Sequence, residues 1–138
     1  MKPGLETGAT TTQRFTMDTD RTIAFMGKDL RVYATPWMMR DIERTCRSFL
    51  DEYLEDTENS VGARVELDHL GPTLLDMWVD VTATVTEIDG RRINFEVEVR
   101  DALDTVGRAR HVRFVVDLAR QKERLEAKAA KVKELDGK

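Results

Sequence analysis

Residues 36–54 read PWMMRDIERTCRSFLDEYL, and the spacing within that run decides the fold. Met38, Met39, Ile42, Cys46, Phe49, Leu50, Tyr53 and Leu54 recur at helical intervals with charges between them, which predicts one long amphipathic helix. Wound at about 100° per residue, these side chains gather into one arc of roughly 160°. Glu43 falls inside that arc beside Met39, Cys46 and Leu50. Arg40, Asp41, Arg44, Arg47, Asp51, Glu52 and Glu55 fall on the other side, so Glu43 is expected to be the only charged residue on the core side of the helix. A carboxylate there loses hydration at a cost of several kcal/mol unless a partner or a wet cavity compensates. Thr35 and Pro36, just ahead, read as an N-cap and first-turn pair, because a hydroxyl accepts an orphan N–H and proline has none to leave unpaired.

Downstream the period changes to two. After the acidic, turn-like stretch Glu55 to Ser60, Val61, Ala63, Val65, Leu67 and His69 share one face, with Arg64, Glu66 and Asp68 on the other, as in a half-buried strand. Gly71-Pro72 interrupts the pattern. Met77, Val79, Val81, Ala83 and Val85 then alternate with polar residues as far as Asp89-Gly90, a dipeptide that marks a tight hairpin. The next strand buries Ile93, Phe95, Val97 and Val99, and a turn around Asp101 to Thr105 leads to a last strand, Val106 to Leu118, with Val112, Phe114 and Val116 inward. The tail, with Leu118, Leu125 and Val132 seven apart, predicts an exposed helix over residues 119–136. Phe15 to Leu30 mixes a possible strand with irregular chain. A helix followed by a run of antiparallel strands predicts an α+β fold, one sheet wrapped against one central helix.

The bulk numbers bound the function. A chain of 138 residues, 41% apolar, holds one hydrophobic core but not two, so a single domain is expected over 1–138, with its core at about 15–118. The net charge of -4 comes from 26 acidic and 22 basic residues that are interspersed, which argues against a nucleic-acid partner. The one cysteine, Cys46, cannot form an intrachain disulfide and reads as a small core hydrophobe; the N-terminus has no apolar signal core, and the cytoplasm is the expected compartment. No apolar run approaches the roughly 18 to 20 residues that span a bilayer. No residue cluster has metal-ligand spacing and no Gly-rich phosphate loop occurs, so neither a metal nor a bound cofactor is expected.

Two polar residues intrude on apolar faces. His69 lies on the strand face that should cover the helix, and Glu43 lies on the helix face that should meet the sheet. A carboxylate and an imidazole in a low-dielectric cleft can activate water or attack a carbonyl, then pass a proton to a leaving group. That pairing points to acyl transfer to water. Taken singly, a core histidine is more often just hydrogen-bonded and a helix-edge glutamate more often snorkels.

The run Val32-Tyr33-Ala34-Thr35-Pro36-Trp37-Met38, with Glu43 eight residues beyond the threonine and Val61-Gly62 leading to His69, resembles the hotdog-fold thioesterases of the fluoroacetyl-CoA thioesterase type. The resemblance implies a hotdog fold, an acyl-CoA thioester as substrate, and Thr35, Glu43 and His69 as catalytic residues. It also implies Gly62, whose backbone can approach the acyl group, and Arg113 as substrate-binding residues. Hotdog proteins pair two sheets edge to edge with active sites at the interface, which implies a homodimer or higher oligomer. Pro36 and Trp37 depart from the small and aromatic residues that follow the threonine in the fluoroacetyl-specific enzyme, and the loop from Gly71 to Asp76 departs from the usual Pro-Gly ending. The acyl group is therefore left open.

Thr35 and Glu43 are about 12 Å apart in helix rise, so on one straight helix they do not touch. Either the threonine folds back on a loop or the site is shared between subunits; a plain helix cap is the other reading of Thr35. His111 and Arg113, on the face opposite Val112 and Phe114, are either solvated or, for Arg113, in reach of a phosphate or carbonyl. Trp37 is a pocket lid or packing for the N-terminal segment. An acyl-CoA hydratase or dehydratase would use the same carboxylate and histidine, and a non-catalytic acyl-CoA-binding module would hold the ligand with them.

Overall fold

The structure is a computed structural model that describes residues 1–137. Along the chain follow β1 (Thr10–Thr16), β2 (Thr22–Ile23), β3 (Val32–Tyr33), α1 (Thr35–Asp51), β4 (Glu58–His69), β5 (Trp78–Asp89), β6 (Arg92–Arg100), β7 (Thr105–Asp117) and α2 (Leu118–Asp136). Five strands form one antiparallel sheet in the order β1-β5-β6-β7-β4, and β2 pairs with β3 beside it. The sheet curves around α1, which packs against β1, β4, β5 and β7. This is the α+β hotdog arrangement.

Met38, Ile42, Cys46 and Leu50 on α1 are fully buried against Val79, Val81, Ala83, Val85, Ile93, Phe95 and Val99 of β5 and β6. Each large side chain so removed from water stabilises the fold by about 2 kcal/mol. On β7, a Cβ on Gly107 would lie 2.6 Å from Met38 Sδ, so the glycine leaves the space that this methionine side chain fills. Gly107 pairs with His69 on β4, so the Met38 side chain lies over the strand position next to that histidine.

The hairpin expected at Asp89-Gly90 is present, with Asp89 paired to Arg92 across the turn. The N-terminal segment differs from expectation, since β1 begins at Thr10, five residues ahead of the Phe15 to Leu30 stretch in which a possible strand was expected. It is an edge strand whose threonines pair with those of β5, Thr10 with Thr84 and Thr12 with Thr82, and β-branched residues suit such a half-exposed surface. α2 starts where the sequence suggests, its first turn capped by Asp117 accepting from the Arg120 N–H, and it buries no side chain.

Two strands run in a different phase from the one their apolar residues suggest. On β7 the inward residues are Ala109, His111, Arg113 and Val115, while Phe114 faces out at 40% exposure. On β4, Val61 pairs with Phe114 on the outer face and is 39% exposed, yet Leu67 and His69 face inward opposite Ala109 and Gly107. A β-bulge between Gly62 and Arg64 reconciles these, because one extra residue inverts the alternation. Gly62 and His69, of opposite parity in sequence, therefore both face α1.

Candidate active site

The expected residues fall into two groups, one at the first turn of α1 and one at its middle. At its first turn the Thr35 hydroxyl stands 2.7 Å from His69 Nδ1. Thr35 is already helical, Ala34 is the N-cap residue, and no side chain caps the helix, so the capping role expected for Thr35 is not what its hydroxyl does. The Tyr33 ring meets the His69 imidazole edge-on, with centroids 6.2 Å apart. Both line a cleft of about 280 Å³ whose other walls include Ile23, Phe25, Leu70 and Pro72. Burial pulls the His69 pKa below that of an ordinary imidazole, with the Gly71 backbone opposing, so the ring is neutral at pH 7 and able to take a proton. An apolar cleft with a hydroxyl and a neutral imidazole at its base suits proton transfer near a carbonyl.

The second group surrounds Glu43. Its side chain is 42% exposed, and its Oε2 lies 3.7 Å from Arg113 Nη1. Arg113 is 4% exposed, contrary to the solvated alternative, and is held from three sides. Its Nε donates to Ser60 Oγ at 2.9 Å, its Nη2 to the Ser60 carbonyl at 3.0 Å, and its Nη1 to His111 Nε2 at 3.1 Å. Because a guanidinium only donates, that Nε2 must accept, which leaves the His111 Nδ1–H to donate to the Arg64 carbonyl at 2.8 Å. His111 thus ties the strand bulge to the arginine. Its pKa is lowered by burial, with the Arg64 bond opposing and Arg113 lowering it further. Burial also lowers the Arg113 pKa, opposed by Glu43.

Gly62 completes this group. A Cβ there would stand 2.8 Å from Glu43 Oε2 and 3.4 Å from both Arg113 Nη1 and His111 Cε1. The absence of a side chain lets the β4 backbone lie directly against the carboxylate. Cys46, behind it, is fully buried, and desolvation pushes its thiol up to about 12, so it is a protonated core residue.

Glu43 is not the buried charge of the helix. That residue is Asp41, 1% exposed, which accepts from Arg21 Nε and Nη2 at 2.9 Å each and from the Tyr33 hydroxyl. A helical wheel misses it because α1 is covered on a second side by the segment that carries Arg21 and Tyr33. Trp37 belongs to that covering. The Arg21 and Arg40 guanidiniums lie 5.3 and 4.7 Å from its ring centroid, so it packs the N-terminal segment and does not line the Thr35 cleft. His111, Ser60 and Asp41 were missed as site or core residues; Ala109 and Val115, two residues either side of the His111/Arg113 pair, carried the signal for His111.

The two groups do not meet within one chain. Gly62 and His69 are about 20 Å apart along β4, and Thr35 and Glu43 about 12 Å apart along α1.

The model of the FlK family, fluoroacetyl-CoA-specific thioesterase, matches residues 17–119. The fluoroacetyl-CoA thioesterase of Streptantibioticus cattleyicolor is 29% identical over 125 residues, which cover 86% of this chain and 90% of that one. A solved mutant of the fluoroacetyl-CoA-specific thioesterase FlK superposes with a TM-score of 0.83 at 27% identity, covering 92% of this chain and 99% of that one. The same mutant has been crystallised with fluoroacetate and CoA. A thioesterase superfamily member from Thermus thermophilus gives a TM-score of 0.80 at 28% identity, with 96% of each chain covered.

Proposed function

The chain belongs to the fluoroacetyl-CoA-specific thioesterase family and is a thioester hydrolase acting on acyl-CoA, and from that premise we propose how its residues divide the work. Glu43 carries the attack on the thioester carbonyl, directly through a carboxylate oxygen or by deprotonating a water. His69, neutral and oriented by the Thr35 hydroxyl, takes up the proton that the water gives up and passes it to the departing CoA thiolate. The Gly62 N–H stabilises the oxyanion, and Arg113 steadies the Glu43 carboxylate and the acyl end of the substrate. Water and thioester are consumed, and free acid and CoA thiol are released.

The observation that carries this reading is the separation of the two groups, which makes a second copy of the chain part of the site. β4 is an open sheet edge of 12 residues. Antiparallel pairing of two such edges about Glu66 sets Val65 opposite the partner subunit's Leu67 on the inner face. On the outer face it sets Arg64 opposite the partner subunit's Asp68, so that two attractive cross-strand pairs flank the like-charged Glu66 pair on the axis. Past the bulge, that register brings Gly62 and Ala63 to the partner subunit's His69. Two identical composite sites follow, as a two-fold axis requires.

Thiol release from a panel of acyl-CoAs tests the assignment. Glu43→Gln and His69→Ala should each lose most turnover with the fold intact, and near wild-type turnover in Glu43→Gln would sink it.

A further inference from the structure

The exposed side of α1 carries a basic ridge that the chemistry above does not use. Arg40, Arg44 and Arg47 line a cleft of about 500 Å³ together with Glu43, Arg113 and Asp51. On an α-helix these three arginines fall within an arc of about 60° and span about 10 Å of rise. Arg40 is held over the Trp37 ring, and among the described residues none of the three has a carboxylate within 4.0 Å. Like charges at positions i, i+4 and i, i+3 destabilise a helix. Here they gather on a chain whose net charge is -4.

The ridge opens into the same cleft as Glu43, so an anion bound there is continuous with the site. We propose that Arg40, Arg44 and Arg47 form the subsite for the phosphate groups of the CoA nucleotide. The inference rests on the acyl-CoA reading of the site. The pantetheine arm is peptide-like and, at standard bond lengths, on the order of 15 Å when extended, enough to join a phosphate on the ridge to a thioester at Glu43. Guanidiniums suit this task, because their planar fork donates two parallel N–H bonds to phosphate oxygens. Asp51 at the far end of the cleft limits how far a polyanion can slide along the helix.

The test compares acetyl-CoA with S-acetylpantetheine, a thioester that has the arm but no phosphate, in wild-type protein and in Arg44→Glu/Arg47→Glu. In the variant the KM for acetyl-CoA should rise about tenfold or more, each lost charge-assisted contact counting for a factor of several, with kcat and the kcat/KM for S-acetylpantetheine unchanged. The wild-type KM for acetyl-CoA should also rise with salt, and that dependence should flatten in the variant. An unchanged acetyl-CoA KM, or equal impairment of both thioesters, overturns the proposal. Calorimetric titration with CoA itself separates this from the catalytic reading. CoA binding that is lost in the variant supports the ridge even where no thioester is hydrolysed, and equal binding to both proteins overturns it even where turnover is brisk.

Discussion

Glu43 Oε2 lies 2.8 Å from the point where a Cβ on Gly62 would sit. The backbone at Gly62 is not in the left-handed region, so alanine is conformationally acceptable there and only the contact is at stake. Gly62→Ala should push the carboxylate aside, and displacements of this size cost roughly tenfold to a hundredfold in rate. We expect an unfolding midpoint near that of the wild type with kcat reduced to that extent. Wild-type kcat in Gly62→Ala would separate the carboxylate's position from turnover.

His111 links Arg113 to the bulge carbonyl of Arg64, and it is fully buried. His111→Phe leaves both partners unpaired, and at about 1–3 kcal/mol for each orphaned group the loss in urea unfolding should be near 3 kcal/mol. His111→Gln, whose amide both donates and accepts, should recover more than half of it. Equal stabilities for the two variants would show that volume, not hydrogen bonding, is what the site requires.

Both histidines have pKa values lowered by burial. Each therefore binds its proton more readily in the unfolded chain, and stability rises with pH across the window between the folded value and the unfolded one near 6.5. Stability should be full above about pH 6.5 and fall as the pH drops through the folded values. Turnover should persist below pH 6.5, where an ordinary imidazole would already be protonated. Urea midpoints and kcat measured from pH 5 to 8 check both statements; a stability maximum below pH 6 would contradict the first.

Asp41 is the buried charge on α1, held by Arg21 and Tyr33. Removing one partner of a buried ion pair leaves the other uncompensated, at about 3–5 kcal/mol. Asp41→Ala should lose that much in denaturant unfolding, whereas Asp51→Ala, at the exposed end of the same helix, should change stability by less than about 0.5 kcal/mol.

Much of this was legible in the sequence. The helical spacing from Met38 to Leu50 and the alternation from Val79 to Val99 each admit one phase, because the helix residues share one arc and the strand residues one parity. β7 admits two, since Val106, Val112 and Phe114 compete with Ala109 and Val115, and choosing the larger side chains put His111 and Arg113 in solvent. On β4 the apolar residues Val61, Val65 and Leu67 share a parity, yet the bulge at Gly62 divides them between faces, and no residue there announces it. Asp41 was misplaced because one wheel represents one covered face, while α1 has two. Thr35 and His69 could be suspected singly from the sequence, but the bond between them joins residues 34 apart, and no local pattern carries it.

The separation of Thr35/His69 from Glu43/Gly62 is the centre of the account, and subunit mixing tests it most directly. Glu43→Gln and His69→Ala proteins, each inactive alone, are unfolded together in equal amounts, refolded and assayed for thiol release. With composite sites, half of the dimers are mixed and one of the two sites in each is intact, so about a quarter of wild-type activity should return. Activity that stays at the level of the separate variants would contradict the account, because it would mean that Glu43 and His69 must come from the same chain.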